Sequence, residues 1–116
     1  MATVIRRPKY RNTKVCHDGE RFDSIAEFNR YRQLQILERA GQIANLTRQV
    51  DFVLAPRVII QGKTKAAMKY KADFSYTNVL TGCYVVEDVK GMLTPIYKVK
   101  RHLMKWVHEI DIVETK

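Results

Sequence analysis

The sequence is poor in acid, and unevenly so: residues 1–15 and 52–72 contain no Asp or Glu at all. It also lacks any uninterrupted apolar run near the roughly 20 residues that a bilayer-spanning helix requires. The amino terminus has no apolar core of the kind a signal peptide carries. A soluble, cytoplasmic protein with no membrane partner is therefore expected. Cys16 and Cys83 are the whole cysteine complement. They lie too far apart for a zinc spacing, and without an export signal they read as reduced core residues rather than a disulfide. His17, His102 and His108 form no ligand set, which removes histidine-based metal binding and catalysis from consideration.

What the chain has in excess is positive charge. Lys and Arg number 21 against 12 acids, a net charge of +9. The acid-free segments concentrate it: Arg6, Arg7, Lys9, Arg11 and Lys14 in the first, Arg57, Lys63, Lys65, Lys69 and Lys71 in the second. Clustered charge of one sign points to a polyanion such as nucleic acid. At 116 residues the chain suffices for one core. It divides into a basic arm over residues 1–12 and a single domain over residues 13–116.

Asp18-Gly19 between short β-compatible stretches predicts a small hairpin. Ser24 opens a helix to about Ala40, with Glu27 at the capping-box spacing and Gly41 as the left-handed stop. Strands are expected around 48–54, 67–76 and 83–89, with a basic loop around Gln61 to Lys65. Thr94-Pro95 starts a second helix to about His108, and residues 110–114 form a last strand. On the second helix Ile96, Val99, Leu103, Trp106 and Val107 share one arc and should pack, while Lys98, Arg101, His102 and Lys105 form a cationic arc. The order, hairpin then αβββαβ, predicts an α/β sandwich around a central mixed sheet.

Within the expected strands stand Asp73, Glu87, Asp88 and Lys90, residue types that strand interiors disfavour. Alternation puts Asp88 and Lys90 on one face and Glu87 on the other, where it is expected to pair with a basic side chain. If strands 67–76 and 83–89 pair, Asp73 approaches Asp88, and two close carboxylates call for a proton or a cation between them. Oxygen ligands select a hard cation such as Mg²⁺, which takes one or two carboxylates plus water and phosphate. Gln49, in the preceding strand, is a further candidate to orient a water or a ligand.

The phrase "ADF", 14 intervening residues after Asp73, then "DVK" resembles the D…(D/E)xK signature of the PD-(D/E)XK nuclease superfamily. Its αβββαβ, restriction-endonuclease-like core matches the expected order of elements. Longer phrases, among them "DGERFDSIAEFNRY" and "VVEDVKG", are similar to a family of small phage and prophage proteins classed with these nucleases. The resemblance implies Mg²⁺-dependent cleavage of DNA, with Mn²⁺ as a substitute, in a bacterial host cytoplasm. It assigns metal to Asp73, Asp88 and the Val89 carbonyl, assistance to Lys90, and a supporting acid to Glu27. Ala72 stands where the motif's proline would be.

Each residue also has a plainer role open to it. Glu27 either completes the site or only closes the capping box. Asp73, Asp88 and Lys90 could be an ion pair at a sheet end. Arg6, Arg7, Lys9, Arg11, Lys63, Lys65, Lys98, Arg101 and Lys105 are the candidate DNA contacts, and those on the second helix could simply be solvated. A branched DNA such as a Holliday junction is one substrate to consider, and cutting it symmetrically requires a homodimer. The alternative from another class is a non-catalytic DNA-binding protein that keeps the nuclease fold.

Overall fold

The computed structural model describes Val15–His17, as backbone, and residues 19–116. The arm with Arg6, Arg7, Lys9 and Arg11 lies outside the described residues, as do Asp18 and the side chains of Cys16 and His17. Strands β1 (Val15–His17) and β2 (Glu20–Phe22) form the expected antiparallel hairpin. Helix α1 (Ile25–Arg39) begins where Ser24, extended, accepts the Glu27 amide at 3.0 Å. That cap is worth about 1 kcal/mol. The helix stops at Ala40, with Gly41 left-handed at φ 76.

Strand β3 (Ile43–Ala55) runs to Pro56, which has no amide to continue the ladder. The expected basic loop is instead a second hairpin, β4 (Val58–Ile60) paired with β5 (Lys63–Lys65). Gln61 and Gly62 both have positive φ, 51 and 77, as a two-residue type I′ turn demands. All six strand residues are exposed, so the apolar alternation that announces a strand in sequence is missing here. Strands β6 (Met68–Asn78) and β7 (Tyr84–Val89), helix α2 (Pro95–His108) and strand β8 (Val113–Thr115) follow. Thr94 caps α2, its hydroxyl accepting the Tyr97 amide at 3.2 Å.

The central sheet has the order β3-β6-β7-β8, antiparallel except for the parallel β7-β8 pair that the α2 crossover makes possible. The fold is mixed α/β, a four-stranded mixed sheet with α1 on one face and α2 on the other. Leu34 of α1 packs with Ile43, Phe74 and Tyr76; Tyr97 and Met104 of α2 pack with Leu54, Tyr70, Ala72 and Val86. Ile110 and Ile112 join the α2-side core ahead of β8, which begins later than expected.

Two further expectations fail. Helix α2 packs through Tyr97 and Met104, with Leu103 half-buried, and leaves Ile96, Val99, Trp106 and Val107 exposed. Cys83 is exposed, not a core residue. Among the described residues no helix is long and apolar enough to cross a membrane.

Candidate active site

The site forms where the central strands change their facing. In a regular strand alternate residues face the same layer. Leu46 and Arg48 of β3 face α1, yet Phe52 and Leu54 face α2. In β6, Tyr70 and Ala72 face α2, while Phe74 and Tyr76 face α1. Both reversals fall at the same level. Gln49, left-handed at φ 54, stands between the pairs Arg48↔Phe74 and Val50↔Ala72, opposite Asp73. One left-handed residue in an extended run turns the following side chains out of phase, and the paired strand follows it.

Asp73 sits at this reversal. The β6-β7 ladder ends at Phe74↔Glu87. Beyond it the Val89 amide donates to Asp73 Oδ2 at 2.8 Å, so a carboxylate takes the place of a ladder carbonyl. Asp88 is buried on the α2 side, where the Tyr70 hydroxyl donates to Oδ2 and Lys90 Nζ lies 3.3 Å from the same oxygen. The Lys90 ammonium also rests 4.2 Å from the Tyr97 ring centroid, a cation–π contact. Tyr97 donates its hydroxyl to Glu114 at 2.6 Å, and Arg101 reaches the same Glu114 oxygen at 2.9 Å.

Glu27 enters from α1. It is only 3% exposed, and its Oε2 accepts from Arg48 Nη2 and Gln49 Nε2, each at 3.3 Å. Its carboxylate thus points inward while its own amide is capped by Ser24. Burial pushes the Asp73 carboxyl up to about 9, helped by Asp88 and Glu27, against the lowering effect of the Val89 amide. Burial likewise raises Glu27, which its contacts with Asp73 and Arg48 partly offset. The four residues proposed from sequence, Glu27, Asp73, Asp88 and Lys90, lie in one neighbourhood, and Val89 joins it through its amide. Among the described residues no three His, Cys, Asp or Glu side chains form a ready ligand cluster. Mg²⁺ does not require one, since it completes its shell with water and phosphate.

Glu87 stands apart, as alternation requires. It is fully buried on the α1 side, where Arg30 forks onto its two oxygens, Nε and Nη2 each at 2.8 Å, and Tyr76 donates a third hydrogen bond. That charge is fully answered by protein groups. The candidate DNA contacts separate into two places: Lys63 and Lys65 on the exposed β4-β5 hairpin, and Lys98, Arg101 and Lys105 on α2. Arg101 is held by Glu114 and Lys105 by Asp111, the latter at 2.9 Å, which lowers their net charge towards an outside anion.

Sequence reasoning missed Tyr70, Arg48 and Tyr97. Arg48 stacks over Phe22 at 3.8 Å from the ring centroid and forks towards Glu20 and Glu27. Its position opposite Phe74 was the available signal, but only for a reader who knew the register.

A family model described as "Protein of unknown function (DUF1064)" matches residues 7–112. The chain belongs to the DUF1064 family. The matched span holds Glu27, Arg48, Gln49, Asp73, Asp88 and Lys90, so the whole carboxylate neighbourhood of this DUF1064 protein lies inside it; Glu114 lies beyond. No curated protein and no solved structure matches the chain.

Proposed function

We propose that this DUF1064 protein is a Mg²⁺-dependent endodeoxyribonuclease of the PD-(D/E)XK kind, with Mn²⁺ able to substitute. The observation that carries the reading is the convergence of Asp73, Asp88 and Glu27 at the facing reversal, with Lys90 against Asp88. The donor set fits a hard cation: oxygen ligands only, and an Asp73 held at about 9 by burial and by its acidic neighbours, a repulsion that a cation relieves. Asp73, Asp88 and the Val89 carbonyl would hold the ion. When bound, it would supply positive charge to the scissile phosphate and acidify a water.

The protein's own groups do the rest. Lys90, steered by Asp88 and the Tyr97 ring, presents an ammonium that orients the attacking water or neutralises charge developing on the phosphate. Glu27, fixed by Arg48 and Gln49, adds a second carboxylate beside Asp73. Lys63, Lys65 and Lys98, together with the amino-terminal arginines, draw the DNA backbone in. A branched DNA, recognised by its shape, is the substrate we favour, in a phage or prophage setting.

Asp88→Asn should lower cleavage by about a thousandfold or more while DNA binding in EDTA stays within a few-fold. The assay uses linear, single-stranded and four-way DNA, and RNA, with and without Mg²⁺; undiminished cleavage by the variant sinks the assignment. One observation favours the second reading, a DNA-binding protein without chemistry: Asp73 and Asp88 already accept hydrogen bonds from Val89 and Tyr70. Metal-independent binding with no cleavage of any substrate would select it.

A further inference from the structure

Helix α2 carries an apolar arc that the sequence patterns for burial and that the other described residues leave uncovered. Ile96, Val99, Trp106 and Val107 are 66%, 53%, 79% and 42% exposed, with half-buried Leu103 between them. The helix contacts its own sheet through a different line, Tyr97 and Met104. A contiguous exposed patch of this size on a helix marks an interaction surface. Trp106 is the chain's one tryptophan and the most exposed residue of the arc. Beside it opens a cleft of about 400 Å³ lined by His102, Lys105, Trp106 and Glu109, a hollow able to receive a side chain from across an interface.

We infer that the α2 arc is the centre of a twofold dimer in which α2 packs antiparallel against the α2 of a second copy. Closed twofold pairs are the commonest assembly, and they need a patch that complements itself. An apolar arc with an aromatic knob and an adjoining hollow meets that need. Trp106 alone offers on the order of 200 Å². With the four aliphatic residues it makes a credible apolar centre for an interface burying about 800 Å² per partner. Charge supports the antiparallel sense. The first turn of α2 has no acidic residue, and Glu109 follows its last turn. In an antiparallel pair each Glu109 lies towards the partner's helix N-terminus, where the helix dipole favours a negative charge.

The test uses the full chain and is independent of any nuclease activity. Sedimentation across the micromolar range should show a monomer–dimer equilibrium, and the Trp106 emission should shift to shorter wavelength with the same midpoint. Val99→Asp, with Trp106 retained, and Trp106→Ser should each raise the dissociation constant about thirtyfold or more. Both positions are exposed, so far-UV circular dichroism should be unchanged. A monomer at every concentration overturns the inference and assigns the arc to a partner of another sequence. A dimer whose Trp106 emission stays constant, or that Val99→Asp leaves intact, overturns it in favour of a different face.

Discussion

Asp73 binds a proton more tightly in the folded chain than out of it, because burial and two neighbouring carboxylates oppose its charge. A raised acid contributes stability that is complete below its unfolded value and is lost as pH rises towards the folded one. Without divalent cation, unfolding free energy should therefore fall between the ordinary carboxyl value of 3.8 and about 9. Urea denaturation in EDTA across that window measures it, and Asp73→Asn should flatten the slope. Mg²⁺ affinity should rise over the same window, with release of a proton detectable by titration calorimetry in two buffers. Glu87, which adjoins Asp88 in the chain, has a structural part instead. Its fork to Arg30 and its bond to Tyr76 are structural, so Glu87→Ala should cost about 3 kcal/mol in chemical denaturation by leaving the half-buried Arg30 and the buried Tyr76 hydroxyl without their acceptor. Alternation alone separates Glu87 from Asp88 in the sequence. It could not foresee Tyr70 on Asp88, because that contact depends on β6 changing its facing before Phe74.

At the scale of elements, the exposed hairpin β4-β5 is the place to test the proposed DNA binding. Removing Lys63 and Lys65 together should weaken DNA binding and reduce the slope of log affinity against log salt by about 2, with fold stability unchanged. A salt titration of binding in EDTA reads this out, and an unaltered slope would place the phosphate contacts elsewhere. Local chemistry made much of the secondary structure legible. Ser24 and Thr94 as caps, Gly41 as a stop and Pro95 at the first helical position put both helices within a residue of where they lie. The β4-β5 hairpin stayed hidden because Val58, Ile59 and Ile60 are consecutive, apolar and exposed, a pattern with no period to read. The periodicity of α2 predicts packing through the arc of Ile96, Val99, Trp106 and Val107, but the helix meets its sheet through Tyr97 and Met104, because periodicity shows which residues share a face and not which face the sheet will take.

For the whole molecule, the two layers meet at adjacent residues of one strand. Glu87 ties β7 to α1 through Arg30, while Asp88 and Lys90 tie it to the α2 layer through Tyr70 and Tyr97. The αβββαβ order and the gathering of Asp73, Asp88 and Lys90 were accessible from sequence because they follow from element order and strand period. The reversal at Gln49 was not, since a left-handed glutamine leaves no mark in a one-dimensional pattern. That reversal has a bearing on how the sheet assembles. In an ordinary strand pair a slip of two residues restores the inward and outward pattern, which makes it the cheapest misalignment a folding chain can fall into. Here a slip of two would drag either Ala72 or Phe74, according to its direction, across the point where facing changes, and would lose the match between that side chain and the helix it faces. The same irregularity that opens the carboxylate site thereby acts as a ratchet pawl for β3 and β6, leaving one alignment in which both halves of the pair are satisfied.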